Sequence, residues 1–143
     1  MKDIINDLLP VHTIVPILGN NTSEGTGVGI DIAGYEGAAM LACLGDSGDT
    51  LSGSIYVTVA FQESDVQGSG FANIAAGALI GGANDVVIDA PAEDQIVVAR
   101  GYMGGKRYLR ILMTFTGTHT NGIPIAGVII KGWARHNPQT QAI

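Results

Sequence analysis

Residues 54–63 read Ser-Ile-Tyr-Val-Thr-Val-Ala-Phe-Gln-Glu. Ile55, Val57, Val59 and Phe61 alternate with Tyr56, Thr58, Ala60 and Gln62, the period of two expected of a strand with one buried face. Turn-forming clusters bracket it, Gly-Asp-Ser-Gly-Asp-Thr-Leu-Ser-Gly at 45–53 and Ser-Asp-Val-Gln-Gly-Ser-Gly at 64–70. The same grammar extends in both directions. Upstream, 27–33 alternates Val28, Ile30 and Ile32 with Gly29 and Asp31. The run Ala-Ala-Met-Leu-Ala-Cys-Leu at 38–44 is apolar throughout, as suits a strand covered on both faces. Downstream, 85–90 predicts a strand ended by Pro91. Residues 95–103 and 106–117 predict two strands joined by a tight hairpin turn at Gly104-Gly105, and 123–136 predicts the last strand. Residues 71–84 have the alanines of a short helix, but three glycines argue for extended chain.

About eight strands, no helical pattern of ten residues or more and frequent turns predict an all-β, single-domain β-sandwich or jelly-roll-like fold. The N-terminal stretch reads differently. Ile4, Ile5, Leu8 and Leu9 have helical spacing that Pro10 stops, which predicts one turn of helix. Residues 11–18 read as extended, with Pro16 confining them to an edge or an arm. The expected organisation is an N-terminal arm at 1–18, a sandwich domain at 19–143 and a polar tail from 137 onward.

Composition bounds the function. In 143 residues, 46% are hydrophobic and only 14% charged, against an average charged share of about 25%. So few charges favour a chain that buries part of its outside against partners. All 13 acidic residues lie between Asp3 and Asp94, whereas all six basic residues apart from Lys2 lie between Arg100 and Arg135. Either the two parts neutralise each other as neighbouring strands or the surface has two poles suited to contacts between subunits. The net charge of −6 and the short basic third argue against nucleic acid as a partner. The first residues lack the long apolar core of a signal peptide, and no run reaches the ~18 apolar residues of a membrane helix, so no membrane partner is expected. Cys43 is the one cysteine; it has no intrachain partner and reads as a buried, inert thiol. Without secretory context the sequons at Asn20 and Asn21 carry no weight.

Convergent chemistry is not legible. His12, His119 and His136 are far apart, lack metal-ligand spacing and read as solvent-facing. Asp46 and Asp49 lack the rest of a calcium loop and read as turn residues. Gly25-Thr26-Gly27-Val28-Gly29 has neither the helix nor the lysine of a phosphate-binding loop. Glu93 and Asp94 follow Pro91 in a polar loop, and no nucleophile-elbow motif is present. The chain is therefore expected to be no enzyme and to need no cofactor or metal. Trp133, beside Lys131 and Arg135, reads as a core or interface residue. With Tyr102 and Tyr108 it forms an alternative of a different class, a carbohydrate- or receptor-binding module.

The order of features resembles the small virion proteins of siphophages and related gene transfer agents known as head-decoration, minor capsid or cement proteins. The resemblance spans residues 34–136. It rests on Tyr35-Glu36-Gly37-Ala38 entering an apolar strand, on Val59-Ala60-Phe61-Gln62-Glu63-Ser64-Asp65 entering a Gly/Ser turn, and on Phe71-Ala72-Asn73-Ile74. It continues through residues 101–110, Gly-Tyr-Met-Gly-Gly-Lys-Arg-Tyr-Leu-Arg, and the closing strand Ala126-Gly127-Val128-Ile129-Ile130-Lys131-Gly132. Residues 84–94 and the tail depart from the pattern. The resemblance implies a β-rich homotrimer on the capsid exterior, held to the major capsid protein. A tail or head–tail connector subunit is the structural alternative. On this expectation the contacts come from Ile4, Ile5, Leu8, Leu9, His12 and Ile14 of the arm, from Tyr102 and Trp133, and from Lys106, Arg107, Arg110 and Arg135 facing acidic patches.

Overall fold

A computed structural model describes residues 4–20, 22–136 and 139–140. Residues 1–3 of the expected arm, Asn21, and residues 137, 138 and 141–143 of the expected tail lie outside the described residues. The chain is all-β, with ten strands among the described residues and one 3-10 turn at Ala76–Ala78. Strand β4 (Tyr56–Ser64) takes the alternation of its sequence literally: Val57, Val59 and Phe61 have no exposed surface. It lies inside one antiparallel sheet of order β2 (Ile30–Asp31), β9 (Tyr108–Thr116), β4, β5 (Ala72–Asn73), with β7 (Val86–Ile88) also paired to β4. The other sheet has the order β1 (Leu8–Gly19), β10 (Ile123–Ala134), β3 (Tyr35–Leu44), β8 (Val97–Tyr102), β6 (Leu79–Ile80), again antiparallel. Met40, Ile125 and Ile129 from this sheet, the first because it holds β1, join Val59, Phe61, Leu109, Ile111 and Met113 from the second, which holds β4, in one core. The architecture is a β-sandwich-like single domain.

Several expectations are corrected. Residues 8–18 do not stand free as an arm. They form most of β1, paired from Leu8 with Gly132 to Gly19 with Ile123. The expected helical turn gives way to a turn closed by the Asp7 N–H on the Ile4 carbonyl, and Leu8–Pro10 are already strand. Because Pro10 and Pro16 cannot donate to a ladder on both sides, the segment sits at the sheet edge, where register shifts between His12 and Ile14 and between Ile14 and Ile17 bend it.

Gly104-Gly105 is no hairpin turn. β8 belongs to the first sheet and β9 to the second, so the two glycines carry the chain across the sandwich. The crossing is held by Tyr102, whose hydroxyl donates to Glu63 Oε2 of β4 at 2.5 Å and accepts the Lys106 N–H at 2.8 Å. The predicted strand at 27–33 shrinks to Ile30–Asp31. Residues 71–84 are a loop with the 3-10 turn and two-residue strands β5 and β6. The Asn84 side chain completes the second sheet there, its Oδ1 accepting the Phe61 N–H at 2.7 Å between the stretches that β7 and β5 cover. His119, expected in solvent, is buried, with Nε2 3.1 Å from the Thr116 carbonyl and its ring edge-on to Phe115.

Candidate interaction face

The residues that look away from the core differ sharply between the two sheets. Residues directly opposite on adjacent antiparallel strands share a face. On the outer side of the first sheet the register aligns Pro10 with Ile130, His12 with Val128, and Leu18 with Pro124. It aligns Ala126 with Cys43, Val128 with Leu41 and Ile130 with Ala39. It aligns Cys43 with Val97, Leu41 with Ala99, and Ala39 with Gly101, which Ile80 of β6 also faces. None of these positions is Asp, Glu, Lys or Arg. The outer side of the second sheet is more polar, with Tyr56 opposite Thr116, Thr58 opposite Thr114, Ala60 opposite Leu112, and Gln62 opposite Arg110.

Trp133 extends the apolar face. Regular alternation from Ile129 and Lys131 would turn it to the core side. Its backbone is left-handed, at φ 51°, and the indole lies on the outer face against Gly37, where a Cβ would come 2.7 Å from the ring. Only glycine at position 37 allows that approach. The side chain is 73% exposed. Trp133 therefore leaves a large apolar side chain in water, on a backbone conformation that costs ~1 kcal/mol or more. Trp133, Met103, Ile80, Ala39 and Ile130 line a groove of about 650 Å³ at this end of the sheet. At the other end Cys43, Pro124, Ala126, Leu18 and Pro16 line a hollow of about 510 Å³.

The residues expected at the interface divide into three groups. His12 and Trp133 are on the apolar face, Leu8 lines its groove, and Ile4 and Ile5 are exposed just before β1. Leu9 is half-buried opposite Lys131. Ile14 and Tyr102 are corrections: both are buried in the core, and Tyr102 serves as the latch between sheets. Burial and the Glu63 carboxylate push its pKa well above the ordinary tyrosine range.

The basic residues find acceptors within the chain. Lys106 pairs with Asp65, Arg135 Nε lies 2.6 Å from Glu36, and Arg107 forks onto Asp31 at 3.0 and 2.7 Å. The Arg107 hydrogen bond, working against burial, holds the Asp31 carboxyl below its usual range. Arg110 donates to Gln62 and to the Thr26 carbonyl and stacks 4.0 Å from the Phe71 ring centre. All three of these ion pairs join the acidic part of the chain to the basic third, so neighbouring segments neutralise each other in the folded domain.

Leu41, Val128, Ile130 and Ala99 also belong to this apolar outer face, beyond the residues expected from the sequence. The signal was present in 38–44, where the outward positions are as apolar as the inward ones. Cys43, on the same face, is half-exposed rather than buried. Tyr102, Tyr108 and Trp133 do not form one aromatic platform. Tyr102 is in the core, Tyr108 lies on the second sheet beside the Arg107 guanidinium, and Trp133 is on the first. Asp49 is bound to the Asn121 and Gly122 N–H groups, and among the described residues no group of three or more His, Cys, Asp or Glu gathers at metal distance. No helix among the described residues is long and apolar enough to cross a membrane. Comparison with protein families, with curated proteins and with solved structures finds no match to this chain.

Proposed function

We infer that this protein is a structural subunit of a virion, which decorates and stabilises the exterior of a tailed-phage capsid through subunit contacts and without catalysis. The observation that carries the reading is the outer face of the first sheet, four strands wide and uncharged apart from Glu36 at the rim of its groove. Domains that work alone rarely leave such a face in water, whereas assembly subunits need it. The capsid as the place of assembly is supported by the resemblance carried in residues 59–65 and 101–110. The partners are the major capsid protein and further copies of this chain.

A cement protein holds neighbouring capsomers by contact area. With Lys106, Arg107 and Arg135 already paired internally, its contacts with further copies of this chain rest on apolar complementarity more than on charge. The test is copy number in purified particles, by gel densitometry against the major capsid protein. Hundreds of copies per particle are expected. Tens or fewer would move the protein to the tail or connector, and absence from particles would overturn the reading.

A further inference from the structure

The assembly reading requires something to cover the outer face of the first sheet. We propose that the same face of a second copy covers it, about a two-fold axis in the interface and perpendicular to the strands. Each Trp133 then seats in the hollow at Cys43 of the other copy. This inference rests on the assembly reading of that face.

Four observations lead to this arrangement. The first is area. Strands β1, β10 and β3, with about nine paired residues each, and β8 with six, at ~4.8 Å spacing and ~3.3 Å rise, give a face of roughly 500 Å². Two such faces bury about 1,000 Å², the lower limit for a specific interface, and Trp133, Met103 and Ile80 at the rim add to it. The second is chemistry. The face offers few polar groups by which to select a different partner: the His12 ring, the Cys43 thiol and, at the rim of the groove, Glu36. A face that meets itself is matched in chemistry by symmetry.

The third is the rest of the surface. The outward positions of the second sheet are mostly threonines, tyrosines, Gln62 and Arg110, with Ala60, Leu112 and Val87 as scattered apolar exceptions, so it offers no apolar face of comparable breadth for a head-to-tail ring. The fourth is shape. Trp133 stands up at one end of β10 and the hollow opens at the other, by Pro124. Nine residues, or about 30 Å, separate them. An in-plane axis perpendicular to the strands, passing near Val128, reverses strand direction and lays each indole on the opposite hollow. The left-handed backbone at Trp133 is what puts the indole on this face at all.

The chain has one tryptophan and one cysteine, so both ends of the contact report without labels. The full chain is expected to sediment as a dimer, with the short-wavelength emission of a buried indole that moves to the solvent-exposed value on dilution. At a total chain concentration ~10 times the dissociation constant about one chain in five is monomeric, so alkylation of Cys43 by N-ethylmaleimide should slow roughly 5-fold, and the alkylated chain should be monomeric with exposed-indole emission. Leu41→Lys, at the centre of the face, should give a monomer with unchanged circular dichroism. Ala99→Glu, at a more exposed position, serves the same purpose if Leu41→Lys does not fold. A wild-type monomer or trimer, or an alkylated chain that stays dimeric with a buried indole, would overturn the proposal. Particle copy number is independent of this test. A dimer absent from particles keeps the pairing and removes the capsid role, and an abundant particle subunit that is monomeric in solution does the reverse.

Discussion

Replacing Tyr102 by Phe removes one oxygen from the point where the chain crosses between the sheets. The Tyr102 ring stays buried, but two bonds are lost: the hydroxyl to Glu63 Oε2 at 2.5 Å and the Lys106 N–H to the hydroxyl at 2.8 Å. A hydrogen bond to a charged group is worth about 1.5–3 kcal/mol, and the orphaned N–H adds ~1 kcal/mol. Glu63 is only half-buried, so water recovers part of this and the net loss should be ~2–3 kcal/mol. For a domain of this size that lowers Tm by about 5–10 °C. The pH dependence is a second signature. Burial and Glu63 raise the folded-state pKa of Tyr102. Its contribution is therefore complete below the unfolded value of ~10 and is lost as pH rises above it. The gap between wild type and Tyr102→Phe, measured by urea unfolding, should narrow by ~1.4 kcal/mol per pH unit above that value. A gap under ~0.5 kcal/mol at pH 7, or one that does not change with pH, refutes the latch.

Asn84→Ala should leave the Phe61 N–H without its acceptor inside the second sheet and cost about 1–3 kcal/mol, read from thermal unfolding and from faster exchange of that amide. At Asp49, burial opposes ionisation, yet the Asn121 and Gly122 N–H groups outweigh it and hold the carboxyl below its ordinary value. Asp49→Ala should therefore be less stable than wild type at pH 7, and the two should converge as pH falls below ~4, measured by unfolding at both pH values. Deleting residues 1–18 removes Ile14 from the core and most of an edge strand from β10, so the truncated chain should lose its cooperative unfolding transition rather than a peripheral contact.

The sequence was most legible where side-chain periodicity alone decides the outcome. Residues 54–63 alternate because one face meets a core, and β4 follows that pattern. Pairing was less legible, because turn chemistry is local. Gly104-Gly105 has the residues of a hairpin turn, and nothing nearby encodes that the next strand joins the other sheet; the Tyr102–Glu63 bond that fixes the crossing spans 39 positions. Pro16 allowed either an edge or an arm, and the apolar side chains of β10 decided for the edge. The apolar run at 38–44 predicted cover on both faces. Inward, Ala38, Met40, Ala42 and Leu44 are buried, while outward Ala39, Leu41 and Cys43 are only half-buried, and no element among the described residues lies over them. Trp133 was legible as an interface residue by type, but its exposure depends on a backbone inversion that periodicity does not reveal.

In the working protein the outer face of the first sheet should be covered. Carbene footprinting of the chain in its assembled form, against the dispersed Leu41→Lys variant, reads that face directly. Leu41 is set aside as the altered position. Val128, Ile130, Met103 and Trp133 should be protected on assembly, while Tyr56 and Thr114 on the second sheet should label equally in both forms. Equal labelling of both sheets, assembled or dispersed, would contradict the account.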